Sequence, residues 1–279
     1  MLGQAERIIE LSRLNAKAKL SERKNIISFT SGKGGTGKTV LSVNSAYTLA
    51  KQNKKVLLID LDSNLSNINI LLNVFAENTL NNFLSGQKLF SDLIYTHNEN
   101  LHIIFGDSGN TEYPKPKKEI IDFIFTQVAK IQNDYDFIII DASAGIDDDV
   151  LTILKNSDMN IIVTTTEPTA VMDAYVVMKI LKQNNILESS QILINKCFDE
   201  CDALTARENL KQAAFHFLKK EISILGLIDF DIEINKSIIN QNIFVENHPK
   251  LKSAMQISAI SSQFEKLIHV VNNSQRNSI

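Results

Sequence analysis

One short stretch constrains this chain more than any other. An apolar run, Ile26 to Thr30, passes directly into Ser31-Gly32-Lys33-Gly34-Gly35-Thr36-Gly37-Lys38-Thr39 and then into a segment of helical period. From Gly32 to Thr39 the spacing is G-x-x-x-x-G-K-T. Glycines in such a loop let backbone amides turn inward around phosphate oxygens, and the helix behind presents the positive end of its dipole. At its end, Lys38 is placed to reach the outer phosphates and the Thr39 hydroxyl to ligate magnesium. The pattern alone also suits a Gly-rich turn, and the flanking strand and helix are what favour phosphate.

Around this loop, short β-rich apolar runs alternate with longer segments of helical period, the rhythm of βαβ units on a mostly parallel sheet. Strands are predicted at Ile26 to Thr30, Lys55 to Asp60, Leu101 to Phe105, Phe137 to Asp141, Asn160 to Thr165, Gln191 to Ile194 and Ile222 to Ile228. Several are apolar throughout, so helices should cover both faces of the sheet. Those helices are predicted near 38–52, 79–86, 117–131, 147–156, 169–184, 203–219 and 251–271. Gly109, Pro114 and Pro116 make Gly106 to Pro116 a surface loop. Residues 1–24, with Ala5, Ile8, Ile9 and Leu14 at helical spacing, read as an extension outside an α/β domain spanning 25–279.

Charge and cysteine content narrow the function. Lys plus Arg number 29 against 32 for Asp plus Glu, a net charge of −3, so no global field draws nucleic acid. Lys219, Lys220, Lys236, Lys250 and Lys252 are interleaved with Glu221, Asp229, Asp231, Glu233 and Glu246, a mixed-charge face rather than a DNA-binding one. Two cysteines cannot build a disulfide framework, and no signal-peptide stretch opens the chain, so the expected location is the cytoplasm.

Carboxylates at strand ends complete the candidate site. Phe137-Ile138-Ile139-Ile140-Asp141 is an apolar strand ending in an acid, where a magnesium-side aspartate belongs. Taken alone, Asp141 would more often be a turn or helix-cap residue, and the phosphate loop reverses the balance. Ala142 to Gly145 then reads as a small, flexible stretch able to sense a γ-phosphate through its amides. Asp60 and Asp62 close the second strand on one side of it. One would serve the metal's water shell and the other orient an attacking water, although the spacing alone suits solvated loop acids just as well.

These residues resemble the MinD/ParA group of deviant Walker A ATPases, whose loop carries an extra lysine as in KGGxGKT. That position is Lys33 here. The resemblance implies a three-layer P-loop NTPase fold, Mg²⁺-dependent ATP hydrolysis, and a homodimer formed with ATP in which Lys33 reaches the partner's nucleotide. Asp60-Leu61-Asp62-Ser63-Asn64-Leu65-Ser66-Asn67-Ile68-Asn69 and Thr165-Thr166-Glu167-Pro168-Thr169-Ala170-Val171-Met172-Asp173-Ala174-Tyr175 are similar to segments of the flagellar regulators FlhG, FleN and YlxH. Gly226 and Gln241 fit the late pattern of the same group. The resemblance implies control of flagellar number or placement. Its partners would be a signal-recognition-type GTPase, a flagellar switch component or a transcription activator. It also implies roles for Asp62 in positioning water, Asp60 beside the metal, Asp141 as the Walker B acid, Asn195 at the adenine edge and Glu167 at the partner's nucleotide. Asn195 alone would as readily be an ordinary turn residue in a chain with 28 asparagines.

Departures from the family pattern carry expectations of their own. Gln4-Ala5 resembles the DQAxxLR motif that stimulates the GTPase, with Gly3 in place of Asp and Ile9 in place of Arg. Asn64 and Asn73 stand at usual glycines, and Asn tolerates positive φ. Val40 replaces a second Thr, which removes a hydrogen bond to the α-phosphate and predicts weaker nucleotide affinity. Cys197 and Cys201 lie where iron–sulfur carrier ATPases hold a cluster, but at C-x-x-x-C spacing, so ordinary thiols are expected. A cell-division or DNA-positioning ATPase is the other alternative. Ile257, Ile260, Phe264, Leu267, Ile268 and Val271 form one stripe, read as a core-packed last helix, with membrane contact peripheral and transient at most.

Overall fold

A computed structural model of the protein describes residues 25–62, 66–106 and 118–268. The predicted N-terminal extension, Asn64, most of the Gly106 to Pro116 loop and Val271 lie outside them. All seven predicted strands form, as β1 (Ile26–Ser31), β2 (Val56–Leu61), β4 (Leu101–Ile104), β5 (Phe137–Ala144), β6 (Met159–Thr165), β7 (Ser190–Cys197) and β8 (Ser223–Asp229). One strand was not predicted: the two-residue β3 (Tyr95–Thr96), which pairs antiparallel with β4. The sheet order is β3-β4-β2-β5-β1-β6-β7-β8, and every pairing other than β3 with β4 is parallel.

The helices are α1 (Lys38–Lys51), α2 (Ile68–Leu71), α3 (Leu80–Leu84), α4 (Lys118–Ile131), α5 (Asp148–Asn156), α6 (Pro168–Gln183), α7 (Glu200–Ala213), α8 (Ile232–Ile239), α9 (Phe244–Asn247) and α10 (Lys252–Ser261). The short α2, α8 and α9 have no counterpart among the predicted segments. Helix α7 starts three residues before its predicted position because the Asp199 carboxylate caps it, accepting from the Asp202 amide. Its end widens into a π turn, Ala214–Leu218.

Continuous apolar strands are explained by burial on both sides. Along β5, Phe137 and Ile139 join the core under α1 and α10, whereas Ile138 and Ile140 join the core under α4 and α5. Along β2, Val56 and Leu58 face the first core and Leu57 and Ile59 the second. The last helical stripe is core: Ile257, Ile260, Phe264 and Ile268 are all buried, with Phe264 edge-on to Phe29 of β1. Asn73 has φ 52°, so the asparagine at a usual glycine position does take the left-handed turn.

Sheet order positions the site. The chain runs outward from β1 in both directions, with β5 on one side and β6 on the other. At that switch point the strand ends diverge and leave a crevice over their carboxyl edge. The loop after β1 opens into it.

Candidate functional site

Gly37 sits at the N-cap of α1 with φ 93° and ψ 15°, and no side chain caps the helix. A β-carbon there would collide with the Asn195 side-chain amide, so both the conformation and the close approach require glycine. Gly32 is required on packing grounds: its Cβ would come within 2.7 Å of Asp173 on α6. Side chains hold three loop carbonyls. Ser31 Oγ donates to Lys33 O at 2.8 Å, Lys196 Nζ to Gly35 O at 2.7 Å, and Asn195 Nδ2 to Thr36 O at 2.8 Å.

Lys38 is buried between two acids. Its ammonium lies 3.1 Å from Asp62 Oδ2 and 3.1 Å from Asp141 Oδ1. Burial alone would lower its pKa, but Asp141 and Asp62 outweigh that and hold it above the ordinary lysine value. Thr39 Oγ1 donates to Asp141 Oδ2 at 2.6 Å, and Ser143 Oγ to Asp62 Oδ1 at 3.0 Å. Asp141 is itself fully buried, and desolvation raises its pKa despite the opposing pull of Lys38.

Asp60 lies deeper than the sequence implied. It is fully buried opposite Asp141 in the β2–β5 ladder, and burial followed by the Asp141 charge pushes its carboxyl up to about 7. Oδ2 accepts from Ser66 Oγ at 2.5 Å and from the Asn67 and Ile68 amides at 3.2 Å, while Oδ1 accepts from the Asp62 amide at 3.1 Å. Asp60 thus grips the segment around Asp62 from beneath. The reading of Ala142 to Gly145 as a flexible stretch is also corrected. Strand β5 runs through Ala144 because its inward residues stay buried, and only Gly145, with φ 96°, turns away.

Lys33 does not enter the cleft of its own chain. Its ammonium is 2.6 Å from Glu167 Oε2 and 3.1 Å from Thr169 Oγ1, at the start of α6. This hydrogen bond holds the Glu167 carboxyl below its ordinary pKa. Asn195, at the end of β7, spends its amide nitrogen on the loop. Cys197 is buried, and burial pushes its thiol up to about 11, whereas Cys201 is exposed on α7. A thiol so raised is a poor source of the thiolate that a cluster needs.

The loop forms one wall of a cleft of about 660 Å³. The opposite wall comes from Asp229 to Asp231 and from Ile234, Asn235 and Ile238 of α8. Sequence reasoning missed that wall and missed Lys196. Phe230 alone left a signal, as an aromatic set between two acids just past a strand.

The AAA_31 family, an AAA domain, matches residues 24–194 of the chain. The flagellum site-determining protein YlxH of Helicobacter pylori is 30% identical over 82% of this chain and 79% of its own length. This chain belongs to the MinD/ParA group of P-loop ATPases. The antiactivator FleN of Pseudomonas aeruginosa is 25% identical over 86% of both chains. The septum site-determining protein MinD of Pyrococcus horikoshii, solved as its Mg-ADP complex, superposes with a TM-score of 0.73 at 26% identity, covering 89% of this chain and 99% of that one.

The donor set of this MinD/ParA ATPase suits a magnesium nucleotide. The first-turn amides of α1 lack a capping side chain, and the buried Thr36 hydroxyl has no hydrogen-bond partner among the described residues. Phosphate oxygens would satisfy both. Thr39 and Asp141 form the hard oxygen pair that magnesium prefers. Among the described residues, no helix is long and apolar enough to cross a membrane.

Proposed function

We propose that this ATPase is a molecular switch, monomeric with ADP and a face-to-face homodimer with Mg-ATP, that hydrolyses ATP slowly and controls flagellar number or placement through protein partners. The observation that carries the switch is the position of Lys33. It belongs to the phosphate loop, yet its ammonium rests on the exposed Glu167 and Thr169 outside its own cleft. A cation held there is available to a nucleotide bound by a second copy, in the manner of an arginine finger supplied in trans.

Within one site, the loop amides and Lys38 hold the phosphates, and Val40 contributes its amide but no hydroxyl. Thr39 and Asp141, hydrogen-bonded to each other, would hold the magnesium. The chemistry that magnesium would supply there is offsetting the negative charge that develops on the phosphates. Asp62, steadied by Ser143, orients the attacking water. Asp60 positions Asp62 and the amides that follow it. The Asn195 oxygen accepts from the adenine amino group, and Glu167 exchanges Lys33 for the interface when the dimer forms.

The flagellar reading is supported by the two relatives, YlxH and FleN, over four-fifths or more of this chain. Residues 1–24 would be the partner-binding extension, and a GTPase, a flagellar switch component or a transcription activator the partner. MinD supports a cell-division or positioning ATPase as the second reading.

The test is the solution mass of Asp62→Ala protein by light scattering in Mg-ADP and then Mg-ATP. Blocked hydrolysis should trap the loaded state, so the mass should double in ATP alone. A monomer in both nucleotides refutes the switch.

A further inference from the structure

We propose that Lys196 is a positioning residue of the nucleotide site, one that turns a loop amide toward the phosphates. The inference rests on the nucleotide-binding reading above and extends it to a residue outside the phosphate-loop motif.

The β7–β8 ladder slips between Ile194 and Cys197, and Lys196 takes φ 57°. L-residues other than Asn and Asp rarely adopt that conformation, and here it has a geometric result. Successive side chains on a regular strand point to opposite faces. The left-handed turn at Lys196 instead brings two neighbouring side chains to the same loop: Asn195 Nδ2 to Thr36 O at 2.8 Å and Lys196 Nζ to Gly35 O at 2.7 Å.

The described chain has no cis peptide bonds, so each carbonyl opposes the amide N–H of the next residue. Pulling the Gly35 and Thr36 carbonyls toward β7 therefore turns the Thr36 and Gly37 amides to the other side, where the uncapped start of α1 and the Lys38 side chain converge. Gly35 at φ 81° and Gly37 at φ 93° make the loop pliant, with glycine's freedom on both sides of Thr36. Such a loop binds best when something fixes its peptide planes before the anion arrives. A charge-assisted hydrogen bond from lysine is a strong way to fix one.

The experiment is calorimetric titration of Mg-ADP into the full chain and its Lys196→Gly, Lys196→Met and Lys196→Arg variants, with Lys38→Ala as the non-binding control. Glycine accepts the positive φ, so Lys196→Gly should melt no lower than the parent without nucleotide, which separates loss of grip from loss of fold. Gly and Met variants should bind Mg-ADP about tenfold more weakly, the scale of one charge-assisted hydrogen bond. Arg, which keeps the charge and the donor, should recover most of that loss. Parent-like affinity in the Gly and Met variants overturns the inference while leaving the nucleotide reading intact, and an Arg variant no better than Met overturns the charged grip. A parent chain that takes up no Mg-ADP overturns the nucleotide reading and this inference together.

Discussion

Replacing Lys38 by Met tests whether the site is held together by the same cation that binds phosphate. Lys38 is 8% exposed along its side chain and lies 3.1 Å from carboxylates of Asp62 and Asp141 that are 15% and 1% exposed. At an effective dielectric near 20, each contact is worth roughly 5 kcal/mol before desolvation. Methionine fills most of the volume but leaves Asp141 facing Asp62 and the fully buried Asp60 without a cation. Breaking a buried pair from one side costs about 3–5 kcal/mol. The buried Asp141 carboxylate relieves that cost by taking up a proton. Because the folded variant then binds more protons than the unfolded chain, its deficit shrinks as pH falls, by up to about 1.4 kcal/mol per unit.

The nucleotide-free variant should therefore melt roughly 6–20 °C below the parent at pH 7.5, taking about 2–4 °C per kcal/mol for a chain of this size. The gap should narrow to a few degrees at pH 5.5. Thermal melts of both proteins at the two pH values measure it, and calorimetry should find no ADP binding by the variant. Equal melting at pH 7.5, or a gap that does not change with pH, would refute the reasoning.

Three further outcomes are expected. Glu167→Ala removes a carboxylate that the dimer interface takes up and should raise, by several-fold, the ATP concentration at which the mass doubles in light scattering; a lower requirement would instead show that Glu167 only tethers Lys33 to its own chain. Asp60, with its carboxyl at about 7 when folded and 3.8 as its ordinary value, contributes stability that is present below pH 3.8 and lost as pH rises through 7. Between pH 5 and pH 7 the nucleotide-free parent should therefore lose more stability than Asp60→Asn in urea titrations, and parallel losses would show that Asp60 does not titrate there. Gly37→Ala, forced to φ 93° against Asn195, should cost about 1–2 kcal/mol for the backbone alone and more than tenfold in ADP affinity, read by melting and calorimetry.

The strands and most of the longer helices were readable along the chain because each is a local signal. Runs such as Phe137 to Ile140 are buried on both faces by any layer that covers them, so their apolarity does not depend on which layer that is. The elements left unread were those whose existence is settled elsewhere. Strand β3 is two exposed residues that pair only because β4 lies beside them. Helix α2 is four residues whose first amide, that of Ile68, is drawn onto Asp60, and α8 forms where β8 delivers the chain to the rim of the cleft. Asp60 and Asp62 looked equivalent at i, i+2 spacing, yet only the ladder partner Asp141 and the amides of Asn67 and Ile68 bury one of them and leave the other at the opening.

By itself the sequence determined the phosphate loop, the acid at the end of β5 and the alternating α/β plan, since each depends on residues adjacent along the chain. Tertiary structure decided what those residues meet. Lys33 finds Glu167 134 positions away and Lys196 finds Gly35 161 positions away, because β6 and β7 lie in sequence beside β1 and bring their carboxyl ends to the same edge. Contacts of that kind follow from strand order, a property of the packed sheet that no local spacing encodes.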